Sequence, residues 1–307
     1  MYFPMNVKNS WDILVRSEDP EGNPVAVVST IVEPYYADPT KLVAYNAAQD
    51  SSNFDCSPTY AILQGSPFFQ NSEIQLEWAF MGSAAMLSQG YYVITTNYET
   101  TTNYSAAFTA GRLPGQNILN SLRGALSSAN ITGLNDPEII LWGYSGGALA
   151  SGWTAALVNA YAPELQDLII GAAVGGLPAN ITETILAVDG GVFAGLVPNG
   201  VLGLVNQYPQ FAEVVKKEIV PSKYQEFEEA TEFCLLGSIF RYANQAFFVG
   251  DTNETYSKSG LEVLNNPLIV DVLLENTGNK QIRSAPNAVI HVPRKVGWSC
   301  SICQFKY

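Results

Sequence analysis

The amino-acid sequence predicts an α/β fold with a mostly parallel sheet. Short apolar runs of strand length alternate with segments whose apolar residues recur at helical spacing, which is the pattern of successive βαβ units. A Gly-x-Ser-x-Gly turn at residues 143–147 joins one of these strands to one of these helices. The chain has 307 residues, of which 47% are hydrophobic and 14% charged, so it can bury a large core.

The elements of the first half follow from local patterns. Turn residues at 19–23 lie between two β-rich runs and predict an opening hairpin. Ser72 as N-cap and Gly90 as the C-terminal residue bound a predicted helix at 73–89, and one-sided apolar spacing predicts another around 118–129. Strands are predicted at 11–16, 24–32, 41–45, 91–97, 139–142 and 168–174.

The pattern changes after residue 179. Residues 180–266 show helical patterns, glycine-rich apolar patches and no convincing strand, whereas a helix is predicted at 267–275 and a strand at 288–292. A helical block between two strands of such a sheet is most simply a cap over the active site. We therefore expect a core in 1–179, an inserted helical cap or lid in 180–266, and a return to the core in 267–307.

The turn at 143–147 predicts a nucleophile. An apolar strand stops at Trp142, and small residues after Ser145 open a helix. This is the pattern of the nucleophile elbow of an α/β-hydrolase fold, which presents a serine hydroxyl above the sheet. Gly143 and Gly147 leave room for the strained turn, and Tyr144 precedes the serine. The alternative is an ordinary glycine-rich strand–helix turn.

Acyl transfer also requires donors aimed at the developing oxyanion. In an elbow, one donor is the backbone N–H of the residue after the nucleophile, here Gly146. The second should come from the loop after the third strand, and Asp50 is the candidate through its backbone N–H. From the local sequence, a turn-forming Asp-Ser-Ser is an equally good interpretation.

The acid and base of a catalytic triad cannot be identified in this sequence. His291 is the single histidine, and it lies in the apolar run 289–292, where a structural role in a strand is favoured. Cys300 and Cys303 have CxxC spacing, but no second pair and no following helix support metal or redox chemistry. We expect neither a metal nor a cofactor.

Charge and hydropathy restrict the partners. The net charge is −13 and no basic stretch could bind phosphate groups, which argues against nucleic acid and anionic membranes as partners. The sequence contains no run of 18 or more apolar residues, so no transmembrane helix is predicted. The N-terminal residues lack the pattern of a signal peptide. Cys56 and Cys234 could form a disulfide or remain buried thiols. Four sequons favour secretion weakly: Asn103, Asn130, Asn180 and Asn253.

Several segments together resemble the fungal secretory lipase family of the lipase A type, from about residue 11 to about 286. The match is far more specific than the serine turn alone. The segments are 50–60 (DSSNFDCSPTY), 90–93 (GYYV), 97–99 (NYE), 107–112 (AFTAGR), 114–116 (PGQ), 142–147 (WGYSGG), 150–153 (ASGW) and 161–165 (YAPEL).

This resemblance implies a secreted, extracellular hydrolase of triacylglycerols and other carboxylic esters that works at a lipid–water interface without a cofactor. It implies a helical cap that gates an acyl-binding tunnel. It makes Ser145 the nucleophile, Gly146 and Asp50 the oxyanion-hole residues, and Cys56–Cys234 a disulfide.

The chain also departs from the pattern of the family. Members begin with a signal peptide and a leader, and near the C-terminus they carry an Asp-containing turn followed by a histidine. No aspartate occurs in 289–307. We therefore expect the sequence to be truncated at both ends, with a gene-model error near residue 288.

Three hypotheses follow. The first is a lipase-type serine hydrolase that is inactive in this form because its acid and base are missing. The second is a truncated, non-catalytic remnant that binds lipid or a partner. The third is a peptidase or a small-ester esterase on the same scaffold, because a fold does not fix a substrate.

Overall fold

The computed structural model describes residues 5–80, 86–250, 254–278 and 282, and the backbone of 288–290. A seven-stranded sheet runs through these residues in the order β1-β2-β4-β3-β5-β6-β7. β1 and β2 are antiparallel, as are β2 and β4, and the remaining neighbours are parallel. The predicted mostly parallel sheet is therefore confirmed. The strands are β1 (Asn9–Glu18), β2 (Pro24–Glu33), β3 (Asp38–Asn46), β4 (Tyr91–Thr96), β5 (Glu138–Tyr144), β6 (Ile169–Gly175) and β7 (Ala288–Ile290).

Helices cover both faces of the sheet. Because side chains alternate along a strand, Leu42 in β3 packs beneath helices on one face, and the neighbouring Val43 packs on the other. The first face is covered by the one-sided helix that the sequence predicts and by the helix after the serine turn. The helices up to this point are α1 (Pro58–Ala61), α2 (Phe68–Glu77), α3 (Arg112–Ser127), α4 (Ala129–Thr132) and α5 (Gly146–Tyr161).

The segment between β6 and the last helix contains no strand among its described residues. An isolated bridge joins Ile219 to Ser257. The apolar side chains of the segment between β6 and the last helix form one cluster with Leu113 of α3 and Trp153 of α5. This segment therefore packs directly on the helices that cover the sheet. The helices are α6 (Ile181–Val188), α7 (Leu196–Gln207), α8 (Pro209–Glu218), α9 (Tyr224–Glu228), α10 (Leu235–Tyr242) and α11 (Pro267–Asn276). None of the helices in the described ranges is long and apolar enough to span a bilayer.

A helix is present in the predicted range 73–89, but it is irregular. α2 begins at Phe68 after Pro67, whose ring fixes φ at a value suited to starting a helix, and a kink at Asn71 (φ −115°, ψ 18°) separates this first turn from the stretch that starts at Ser72. The α-helical part ends at Glu77, and residues 78–80 and 86 have π-helical geometry. Gly90 does adopt the predicted left-handed conformation, with φ of +81°, but it ends a short 3₁₀ turn.

Candidate active site

The Gly-x-Ser-x-Gly segment forms a tight turn between β5 and α5. The elbow strand continues through Tyr144, two residues beyond its predicted end, and α5 starts at Gly146. Ser145 lies between them with φ of +52° and ψ of −120°, a conformation that is costly for a residue with a side chain. Backbone hydrogen bonds hold it on both sides, from Ser145 N–H to Gly175 O at 2.9 Å and from Leu149 N–H to Ser145 O at 3.0 Å.

The glycines of the turn are required by close backbone contacts. A Cβ at Gly143 would lie 2.2 Å from the carbonyl oxygen of Gly147, and a Cβ at Gly147 would lie 1.9 Å from that of Asn46. Neither neighbour is a flexible side-chain end, so no larger residue fits without moving the sheet against α5. The turn is therefore tied to the end of β3.

The loop after β3 brings Asp50 to the serine. The Ser145 hydroxyl donates a hydrogen bond of 3.0 Å to Asp50 Oδ2. A Cβ at Gly146 would lie 1.9 Å from Asp50 Oδ1, so a larger residue there would displace the Asp50 carboxyl group. Asp50 itself has φ of +45° and is only 2% exposed. The sequence-derived role of Asp50 used its backbone N–H, whereas the contact observed with Ser145 is made by its carboxyl group.

Buried carboxyl groups dominate the electrostatics of the site. Burial raises the pKa of Asp50 to about 7, against the lowering effect of the Ser145 hydroxyl, while the charge of Glu77 raises it further. Burial likewise raises the pKa of Glu73 to about 7 and that of Glu77 above its usual value. Burial, followed by the charge of Asp50, holds the pKa of Glu99 well above its usual range.

Of these four carboxyl groups, the sequence indicated only Asp50 as part of the site. Glu73, Glu77 and Glu99 were not recognised. None of the ion pairs found within the described ranges includes them. Glu77 accepts hydrogen bonds from the Tyr45 hydroxyl at 3.2 Å and from Ala48 N–H at 3.1 Å. Burial in a low-dielectric position favours the neutral forms of all four, and Glu73, Glu77 and Glu99 each interact electrostatically with Asp50.

A disulfide joins Cys56 to Cys234, which excludes the alternative of two free thiols. The bond links the loop that follows Asp50 to the start of α10, across 178 residues of sequence. It confirms the pairing implied by the resemblance. It also ties the helical segment after β6 to the candidate site.

Other candidate residues lie away from the serine or outside the described ranges. Asn103 and Asn130 are exposed, and the side chain of Asn180 accepts a hydrogen bond from Glu183 N–H at the start of α6. Glycosylation at these positions stays a prediction. Asn253, His291, Cys300 and Cys303 lie outside the described residues.

The described residues enclose an apolar cavity between helices and include no cluster suited to a metal. In those ranges, no three His, Cys, Asp or Glu side chains are grouped so as to hold a metal ion. An apolar cavity of about 40 Å³ lies among α6, α7, α8 and α11, lined by residues such as Ile185, Leu204 and Phe211. Neither Ser145 nor Asp50 is among its lining residues.

A serine held at positive φ between a strand and a helix of a mostly parallel sheet defines an α/β-hydrolase. The model of the secretory lipase family matches residues 64–295, and the chain belongs to that family. It is 43% identical to Lipase 1 of Candida albicans over 279 residues, which are 90% of this chain and 58% of that protein. It is 32% identical to the secreted triacylglycerol lipase LIP5 of Malassezia furfur over 272 residues, 89% of this chain and 68% of that protein.

A solved structure supports the same assignment. Candida antarctica lipase A in its closed state superposes with a TM-score of 0.75 at 28% identity, over 92% of this chain and 64% of that chain. The α/β-hydrolase fold is therefore confirmed. The chain spans 58% of the length of the Candida albicans Lipase 1 that it matches.

Proposed function

We propose that the protein is a carboxylic-ester hydrolase that acts on lipids, with Ser145 as its nucleophile. The observation that carries this proposal is the position of the Ser145 hydroxyl, on a strained turn whose glycines cannot be replaced without a clash. An α/β-hydrolase uses such a turn to hold its nucleophile above the sheet.

The proposed reaction has two steps. Ser145 Oγ attacks the ester carbonyl carbon, a base takes the hydroxyl proton, and the alcohol leaves to give an acyl-serine. Water then attacks the acyl-serine and releases the fatty acid. The backbone N–H groups of Gly146 and Asp50 are the proposed donors to the oxyanion of both tetrahedral intermediates. Each such donor is worth about 3 kcal/mol of transition-state stabilisation.

The helices of residues 180–266 are proposed to form the cap, and the lipid–water interface is the proposed place of action. The disulfide that links this segment to the loop after Asp50 supports an extracellular location, because such bonds persist in oxidising compartments. The cavity among α6, α7, α8 and α11 has an apolar lining, which is chemically suited to an acyl chain. Its lining does not reach Ser145, so an acyl path to the serine would require these helices to shift.

The finer proposal concerns the polypeptide of 307 residues by itself. We propose that it hydrolyses esters poorly, because its single histidine, His291, lies in the apolar run 289–292, where a structural role in a strand is favoured over that of a base. The test is a chimera in which residues 288–307 are replaced by the part of Candida albicans Lipase 1 that lies beyond the matched region. We expect the chimera to hydrolyse p-nitrophenyl esters and its Ser145→Ala variant to be inactive.

Ester length separates the substrate classes in the same assay. A preference of the chimera for long acyl chains supports a lipase, and a preference for acetyl or butyryl esters supports a small-ester esterase. A chimera that folds, binds lipid vesicles and hydrolyses no ester would instead support a non-catalytic binding protein.

A further inference from the structure

The loop that carries Asp50 is bound to the helical segment after β6 by hydrogen bonds and a disulfide. The Ser51 hydroxyl donates a hydrogen bond of 2.8 Å to Phe233 O. The disulfide from Cys56 to Cys234 fixes the end of the same loop one residue further along the helical segment. Between these two anchors lies Ser52, whose only partner in the helical segment is a single side chain.

That side chain is the amide of Asn199, which is completely buried in the first turn of α7. Asn199 Oδ1 accepts hydrogen bonds from Ser52 N–H at 2.9 Å and from the Ser52 hydroxyl at 3.0 Å. Asn199 Nδ2 donates to Gly195 O at 3.0 Å and to the Ser238 hydroxyl at 2.8 Å. Two acceptor and two donor positions are all the hydrogen bonds that a primary amide offers, so this side chain is fully used.

The orientation of the amide is determined by its partners. Ser52 N–H can only donate and Gly195 C=O can only accept, so the oxygen of Asn199 must face the loop and its nitrogen must face the helix. A buried side chain with four satisfied hydrogen bonds is costly to move, since any rotation leaves buried polar groups unpaired.

The helix that carries Asn199 is itself fixed against the core. The Thr109 hydroxyl donates to Gly200 O at 3.0 Å. A Cβ at Gly203 would lie 2.2 Å from Phe108 O, so the helix lies directly on the backbone of the segment between β4 and α3. Because α7 is fixed against the core, the hydrogen bonds from Ser52 to Asn199 also fix the position of Ser52.

Asp50 needs such support. It is a non-glycine residue with φ of +45°, and residues in this region keep their conformation only when their surroundings impose it. Ser52 is two residues away. If Ser52 were released, the peptide units from Asp50 to Ser52 would relax, and the carboxyl group of Asp50 would move away from the Ser145 hydroxyl.

We propose that Asn199 is a positioning residue that fixes the Asp50 loop against Ser145 through Ser52. The part of this inference that concerns catalysis rests on the proposed function, whereas the part that concerns the loop does not. Asn199 touches no reacting atom. It acts by holding the peptide units that are the proposed source of one oxyanion donor.

The first test is amide hydrogen exchange of the unmodified 307-residue chain and its Asn199→Ala variant. A peptide covering 47–55 reports on the loop, and a peptide covering 139–144 in β5 reports on the core. Amide exchange at Ser52 should be at least about tenfold faster in the variant. The Ser52 N–H loses its acceptor there, and the Ser52 hydroxyl loses its hydrogen bond to the same oxygen. Exchange in the β5 peptide should not change.

Two further variants make the result specific. Ser238→Ala removes one partner of Asn199 Nδ2 but leaves both bonds to Ser52, so the loop should keep its protection. Asn199→Asp keeps an oxygen facing Ser52 and should protect the loop better than Asn199→Ala; it also serves if the alanine variant fails to fold. Equal exchange in the loop of parent and variants, or an equal rise in the loop and in β5, would overturn the proposal.

The second test measures slow phosphonylation of Ser145 by a fluorophosphonate probe in the same chains. An oxyanion hole without a triad retains part of its rate enhancement, so slow labelling reports on that hole. Asn199→Ala should lower the maximal labelling rate about tenfold at an unchanged half-saturating probe concentration. Ser238→Ala should not. Labelling of the parent no faster than that of Ser145→Ala would count against the proposed function, while the exchange experiment would still decide the role of Asn199.

Discussion

Replacing Asp50 by asparagine should change how the stability of the chain depends on pH. Asp50 is 2% exposed, and its burial raises the pKa of the carboxyl group to about 7. An unfolded chain would lose this proton near pH 4. Between these two values the folded chain holds a proton that the unfolded chain has lost, so the free energy of unfolding falls as the pH rises.

The size of the effect follows from the separation of the two values. A separation of roughly three pH units corresponds to about 4 kcal/mol of stability lost between pH 4 and pH 7, as an upper limit. Asparagine has nearly the same shape and no proton to lose, so this contribution should disappear in Asp50→Asn. We expect the variant to be more stable than the parent at pH 7.5 and within about 1 kcal/mol of it at pH 4.5.

Urea unfolding in half-unit steps from pH 4.5 to pH 8 measures this directly. Asp167→Asn, at an exposed position, is the matched control and should leave the pH dependence of the parent unchanged. Identical pH dependence in the parent and in Asp50→Asn would refute the reasoning, since it would mean that Asp50 is ionised in the folded chain at pH 5.

Three further predictions concern the elbow and the disulfide. Gly147→Ala should destabilise the chain by about 3 kcal/mol or more, measured by thermal unfolding, because its Cβ would lie 1.9 Å from Asn46 O. Reduction of Cys56–Cys234, which closes a loop of 178 residues, should lower stability in urea by up to about 5 kcal/mol. Ser145→Gly should be about 1 kcal/mol more stable than Ser145→Ala in urea, because both lack the hydroxyl and glycine relieves the strain at φ of +52°.

Each of these predictions has its own control. Gly191→Ala, where the nearest atom to the new Cβ is Val188 O at 3.3 Å, should cost much less than Gly147→Ala. The double variant Cys56→Ser/Cys234→Ser should be insensitive to reductant. Equal stability of the alanine and glycine variants at Ser145 would mean that the elbow stores no backbone strain.

The strands were predictable because each is a short apolar run between turn residues. Residues 92–96 of β4 are all buried, so side chains on both faces of this strand pack in the core, and its first four residues (YYVI) form an uninterrupted apolar run in the sequence. The elbow was predictable for a related reason, since the space around Ser145 admits only glycine at Gly143 and Gly147. In the strands and in the elbow, the residues under constraint are neighbours in the sequence, so a short stretch of sequence shows the pattern.

α2 shows where local patterns fail. Ser72 has the chemistry of an N-cap, but its side chain does not cap α2, which begins four residues earlier after Pro67. Cap chemistry alone does not decide between two nearby starts, because the packing of the whole helix contributes more free energy than one cap. The boundary was therefore misplaced although the helix exists.

The interior of the site depends on contacts that are distant in sequence. Ser145 and Asp50 are 95 residues apart, and Asn199 and Ser52 are 147 residues apart. No local pattern distinguishes Glu73, Glu77 or Glu99 from solvated acids, because their raised pKa values arise from burial in the folded chain. The sequence could indicate Asp50 through its place after the third strand and through the family resemblance, but neither predicts the contact of its carboxyl group with Ser145.

The measurement that tests the central claim most directly is the rate of fluorophosphonate labelling at Ser145, located by peptide mass spectrometry. The account predicts slow labelling of the 307-residue chain, fast labelling of the chimera with Lipase 1, and no labelling of Ser145→Ala in either. Labelling of the 307-residue chain as fast as that of the chimera would contradict the claim that these residues supply a nucleophile without its base. Labelling at a different residue would contradict the assignment of Ser145.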